Sequence, residues 1–322
     1  MPSPSRIVKI VRNTVVVLCA LAATLFSMLA PWLATTLFIV LPWTFTYTAT
    51  HRQFHYPDAN DGKTPQTFKL DFRGIEFTSQ DGVPLRGWYI PAEGPARGTI
   101  VYCHGLNRTR VELLPDAVFA HSLGYNGLLF DLRHHGASGG TITTLGYQER
   151  RDVEAAVSYA LERENAARPI VVWGVSMGAS AALLAAAESP DISAVISDSS
   201  FDSFMGTVRH HLKLFLHLPS FPIADEVGYW VAWRGNFRPG DFNLVKAVER
   251  IGDRPILFVA VAGDRRMPPW IAQTLYAHAR SPLKEIIVLP GRRHGEGFNQ
   301  AREPYEKAVT DFLAKIPAAN GP

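Results

Sequence analysis

The sequence is poor in cysteine, in charge of one dominant sign and in metal-ligand spacing. Only two cysteines, Cys19 and Cys103, stand in 322 residues. One lies in an apolar stretch and the other in a predicted strand, so neither a disulfide framework nor a thiolate metal site is available. Lys and Arg number 32 against 29 Asp and Glu, a formal charge of +3 with no long basic block. That balance lacks the footprint of a nucleic-acid binder, and nucleic acid is set aside as a partner. His134, His135, His210, His211 and His217 have no carboxylate or cysteine at ligand spacing, so no metal is expected and these rings read as surface or packing groups. Solenoid repeats and low-complexity tracts are also missing.

Charge is absent from one more place. After Arg6, Lys9 and Arg12 no charged residue or histidine occurs before His51. A hydrocarbon core about 30 Å thick needs roughly 20 apolar helical residues, and Thr14 to Trp32 supplies one such span. Pro31 and Pro42 interrupt any longer helix, which leaves Thr35–Tyr47 as an interfacial segment, a second short span or a hairpin return. A cleaved signal peptide is disfavoured: the apolar run exceeds a signal core, and no small-x-small site precedes the polar linker. The N-terminal cations favour a cytoplasmic start. A single span then puts the folded domain outside a plasma or inner membrane, on the periplasmic side where there is one; a hairpin returns it to the cytoplasm.

The expected organisation is an anchor over residues 1–50, a Pro- and Gly-punctuated linker over 51–67, a folded domain over 68–316 and a tail over 317–322. Phe68–Thr78 and Leu85–Ile90, flanking Asp81-Gly82, predict an antiparallel hairpin. Strand candidates at Thr99–Cys103, Gly127–Phe130, Ile170–Trp173, Ala194–Ser197, Ile256–Val261 and Glu285–Leu289 then alternate with helical stretches. The fold class is therefore α/β, a mostly parallel sheet with helices on both faces. Residues 201–243 break the alternation with Phe, Trp, Leu and His, and read as an inserted helical cap. Its apolar positions at helical spacing suit core packing and an acyl pocket equally; Phe204, Phe215, Trp230 and Trp233 are the substrate-binding candidates.

The chemistry is carried by Gly174-Val175-Ser176-Met177-Gly178, a GxSxG motif between a β-branched run and an alanine-rich one. This places Ser176 on a strand-to-helix turn, where the glycines relieve crowding and the helix N-terminus presents N–H groups. A serine hydroxyl is a weak nucleophile near neutral pH and needs a base, an orienting carboxylate and oxyanion donors. His294 follows the last strand, and Asp264 follows the one before it, both on loops at the carboxyl edge of a parallel sheet.

Four blocks resemble the α/β-hydrolase superfamily over about Phe68–Ile316, especially membrane-anchored hydrolase-domain proteins related to monoacylglycerol lipases and acyl-protein thioesterases. They are His104-Gly105, Asp131-Leu132-Arg133 with Gly136-Ala137-Ser138-Gly139-Gly140, the Ser176 elbow, and Asp264 with Met267-Pro268. The chain departs from the family pattern at Ala260-Val261, where His-Gly is usual, and at His134, where glycine is usual. The resemblance implies a serine hydrolase in which Ser176 attacks an acyl carbonyl, His294 moves the proton and Asp264 holds the imidazole. Backbone N–H groups of Leu106 and Met177 would receive the oxyanion.

No cofactor is implied. The expected substrate is a carboxylic ester or thioester, with acyl-glycerol and acylated or lipid-like molecules foremost. An amidase or peptidase, or a silent scaffold of the same fold, is the competing reading. Asp198 is the alternative orienting acid, and Arg108, Arg110, Arg265, Arg266, Arg292 and Arg293 fall on loops where an anionic group could be met or where charge is simply solvated. Oligomeric state is not legible.

Overall fold

The computed structural model describes residues 4–35, 57–217 and 220–317. The expected second apolar segment lies outside them except for Thr35, as do residues 51–56 of the linker and 318–322 of the tail. The strands are β1 (Arg73–Thr78), β2 (Pro84–Ile90), β3 (Thr99–Cys103), β4 (Asn126–Asp131), β5 (Ile170–Val175), β6 (Ala194–Asp198), β7 (Ile256–Val261) and β8 (Lys284–Leu289). They form one sheet in the order β1-β2-β4-β3-β5-β6-β7-β8. β2 pairs antiparallel with β1 and β4, and every later pairing is parallel.

The hairpin turn sits at Asp81-Gly82, with Gly82 at φ 85°. The first strand begins five residues later than its apolar pattern suggests. Pro65–Phe68 instead forms a 3-10 turn ended by Lys69 in the left-handed region, and the chain joins the sheet at Arg73.

Period-two alternation sends successive side chains to opposite faces. Val101 and Cys103 enter one core and Ile100 and Tyr102 the other. The first core is covered by α3 (Glu149–Arg163), α4 (Met177–Glu188), α7 (Leu244–Ile251) and α8 (Pro269–His278). The second lies under α2 (Leu114–Ser122), the short α9 (Gly297–Gln300) and α10 (Arg302–Leu313). In α4, Ala179, Ala181, Ala182, Ala185 and Ala186 are all buried, and their small size lets this helix lie close to the sheet beside α3 and α7. A Cβ on Gly178 would collide with the Cys103 carbonyl, which accounts for the glycine there.

Between β6 and β7 rise the cap helices α5 (Phe204–Leu216) and α6 (Asp225–Arg234). Their base is pinned by a bridge between Ser203 and Asn243, and each of these residues also caps a helix, accepting from Gly206 N–H and Lys246 N–H respectively. Phe204 packs edge-on to Phe237 and parallel to Phe242, inside the core. The N-terminal helix α1 (Pro4–Thr35) contains an uncharged, unburied stretch, Val15 to Leu29, inside a segment long and apolar enough to cross a membrane. It lies against α6.

Candidate active site

Ser176 stands between β5 and α4 with φ 54° and ψ −115°, a conformation unusual for a side-chain-bearing residue and one that costs roughly 1–3 kcal/mol. Its backbone N–H donates to the Asp198 carbonyl at 2.8 Å, and the Ser180 N–H donates to its carbonyl at 3.1 Å. These bonds hold the turn from both sides. The side chain projects to the carboxyl edge of the sheet and the residue is 6% exposed.

His294 joins it from the loop after β8, and Asp264 from the loop after β7. His294 Nε2 lies 2.7 Å from Ser176 Oγ, and His294 Nδ1 lies 2.7 Å from Asp264 Oδ2. An ionised carboxylate only accepts hydrogen bonds, so Nδ1 carries the proton and Nε2 is left to accept from the serine hydroxyl. The other oxygen of Asp264 accepts the N–H groups of Arg266 at 2.8 Å and Met267 at 3.0 Å. Burial pushes Asp264 toward the protonated form, yet the His294 bond and these N–H donors outweigh it and hold the carboxyl below its ordinary value. Burial likewise pulls His294 below the ordinary histidine value, against the opposing pull of Asp264. At neutral pH the pair is thus a carboxylate and a neutral imidazole. Asp198, the alternative acid, faces elsewhere: its carboxylate accepts from Ser199 Oγ and Tyr305 Oη.

The Leu106 N–H belongs to a loop fixed by four side-chain contacts. Glu112 Oε2 accepts the Gly105 N–H at 2.6 Å, and His135 Nε2 accepts the Asn107 N–H at 3.2 Å. His104 Nε2 accepts the Leu132 N–H at 3.0 Å while Nδ1 donates to the Gly105 carbonyl at 2.8 Å. Burial pulls His104 down to about 4, so the ring stays neutral and keeps both roles. A Cβ built on Gly105 would stand 3.6 Å from the Ser176 Cβ, which sets this loop directly over the nucleophile. Met177 N–H opens α4 beside it. Glu112 and His135 are the loop's supports that sequence reasoning does not find; His135 reads there as a packing residue, and no motif marks Glu112.

The Asp131–Gly140 block is structural. Asp131 accepts the N–H groups of Arg110 and Ala137, each at 2.8 Å. The buried Arg133 bridges Asp152 and Asp81. His134 has φ 59°, the left-handed region that explains why glycine is usual there. Arg108 pairs with Asp58 and Glu112, and Arg110 lies over the Trp88 ring. Both are thereby committed to the framework. Arg293 stays largely exposed beside Glu296.

Over this scaffold a family model described as α/β hydrolase fold matches residues 98–243. The chain has the α/β-hydrolase fold. The uncharacterized protein YqkD of Bacillus subtilis is 29% identical over 248 residues, 76% of this chain and 80% of that protein. The alpha/beta hydrolase domain-containing protein WAV2 of Arabidopsis thaliana is 27% identical over 263 residues, 78% of this chain and 82% of that one. Among solved structures, an esterase of Pyrococcus furiosus superposes with a TM-score of 0.68 at 25% identity, covering 82% of this chain and 98% of that one. The likeness supports a hydrolase. Of the cap candidates, Phe204 is turned into the core, while Phe215 and Trp233 are exposed, with Trp230 half-buried edge-on to Trp233.

Proposed function

We propose that the protein is a serine carboxylic ester hydrolase, working on an ester or thioester of a lipid-like acyl group through an acyl-enzyme on Ser176. The observation that carries this reading is the unbroken hydrogen-bonded relay from Ser176 Oγ through His294 to Asp264. His294 Nε2 accepts the hydroxyl proton as Ser176 Oγ bonds to the acyl carbon, and the carbonyl oxygen takes the negative charge toward the Leu106 and Met177 N–H groups. Collapse of the tetrahedral adduct breaks the bond to the alcohol or thiol, which leaves with the proton held by His294. Water, deprotonated by the same nitrogen, then attacks the acyl-serine and releases the acid. Asp264 keeps the imidazole in the required tautomer throughout.

The same reading makes α1 the membrane anchor. Arg6, Lys9 and Arg12 mark its cytoplasmic end, and a single crossing carries the catalytic domain to the far side. Intact mass of the membrane-extracted protein tests retention of the helix: loss of the first thirty or so residues would identify a cleaved signal instead.

The catalytic claim is tested with a fluorophosphonate probe, which labels an activated serine. Labelling is expected for the native protein, none for Ser176→Ala, and weak labelling for His294→Ala. An unlabelled, folded native protein overturns the reading.

A further inference from the structure

The cap carries several large apolar residues on its outside. Phe221 is 78% exposed, Trp233 71% and Tyr229 63%, and Phe215 and Leu216 at the end of α5 are also exposed. Exposing such side chains to water raises the free energy, which falls when a whole patch is covered. Their kinds matter too. Trp and Tyr are the residues that settle at a membrane–water boundary, where a flat apolar body meets lipid and the polar edge meets water. Tyr229, Trp230 and Trp233 wall a shallow hollow of about 280 Å³, and exposed Lys213 and Arg238 provide cations nearby in sequence.

What covers this patch is indicated by its neighbour. α1, with the length and composition of a membrane crossing, lies against α6, the helix that carries Tyr229, Trp230 and Trp233. A bilayer that encloses α1 therefore runs beside the cap. The patch also reaches toward the reaction centre along α5. His210 Nε2 bonds the Arg265 carbonyl in the acid loop at 2.8 Å, and His211 stacks on Phe215 one turn further out at 5.6 Å.

We propose that Leu216, Phe221, Tyr229 and Trp233, with Phe215, form a bilayer-docking surface that seats the cap in the headgroup region beside α1. Docking itself does not require the hydrolase reading; the delivery of an acyl substrate from the leaflet along α5 rests on it.

The test uses the full chain reconstituted in phosphatidylcholine vesicles. In a Cys19→Ser background, Trp233→Cys receives an environment-sensitive fluorophore, with Thr310→Cys, exposed on α10, as the reference site. Cys103 is buried and its thiol pKa is pushed up by that burial, so it stays unlabelled. The expected result is blue-shifted emission at position 233, quenched several-fold by doxyl-labelled lipid, and aqueous, unquenched emission at position 310. A second measurement compares hydrolysis of an acyl ester embedded in the vesicles with that of soluble p-nitrophenyl acetate. The triple variant Leu216→Ser, Phe221→Ser, Tyr229→Ser is expected to lose at least about fivefold on the embedded ester and to keep its rate on the soluble one.

Aqueous emission at 233 overturns the proposal. So does emission shielded without lipid quenching, which would mark a second copy as the occupant, or an equal loss on both esters. A lipid-quenched label in a chain inactive on every ester leaves docking in place and removes the hydrolase reading instead.

Discussion

The relay depends on which carboxylate faces His294, and this separates two aspartates that occupy similar places in the sequence. Asp264→Asn leaves the shape intact but favours the wrong imidazole tautomer. A loss on the order of 10⁴-fold in kcat is expected, as for the corresponding change in comparable triads. The Asp198 side chain hydrogen-bonds Ser199 and Tyr305 rather than His294, so for Asp198→Asn kcat should stay within about tenfold of the native value, one such factor being roughly 1.4 kcal/mol. Steady-state rates on one activated ester decide between them.

The sign of the histidine shift yields a second expectation. The base works only when neutral, and burial lowers its pKa, so activity should be complete at pH 7 and fall only as pH drops through a value below the ordinary 6.5 or so. An acid limb centred above 6.5 in kcat/KM would contradict the burial. The serine, aspartate and histidine that the structure brings together are legible in the sequence because each stands in a loop after a predicted strand and their order is that of the fold. Glu112 and His135 are not, because their partners Gly105 and Asn107 are met only when two loops pack together, and a hydrogen bond to a backbone N–H leaves no pattern in composition.

At the scale of elements, the strands were readable because the central ones are buried on both sides and so form continuous apolar runs. The start of β1 was not, because the apolar residues Phe68, Leu70 and Phe72 pack from an irregular segment against the second core. The cap illustrates a further limit. Val208, Leu212, Phe215 and Leu216 share helical spacing, yet Val208 is buried and the last two are exposed, since periodicity defines a face without saying what lies opposite. Between elements, Arg133 ties the loop after β4 to α3 and to the hairpin turn. Its Asp152 partner is fully buried, and losing the guanidinium would strand that carboxylate. Arg133→Gln should lower stability by about 3–5 kcal/mol in urea titration, with native far-ultraviolet dichroism retained at low denaturant.

Across the whole molecule, the strands, the helices that cover them and the triad all lie after Phe68 among the described residues, and a domain boundary drawn from the sheet would be placed there. The chemistry reaches further back. The Pro57 carbonyl and the Asp58 carboxylate both receive the guanidinium of Arg108, whose Nε also faces Glu112, the acceptor that steadies Gly105 above the nucleophile. A recombinant domain beginning at Pro57 and one beginning at Phe68 should melt within a few degrees of each other. The shorter is expected to turn over an ester several-fold more slowly, with little change in KM. The smallest piece that folds and the smallest piece that works would then differ by eleven residues, the last stretch of tether serving as a brace for the oxyanion loop.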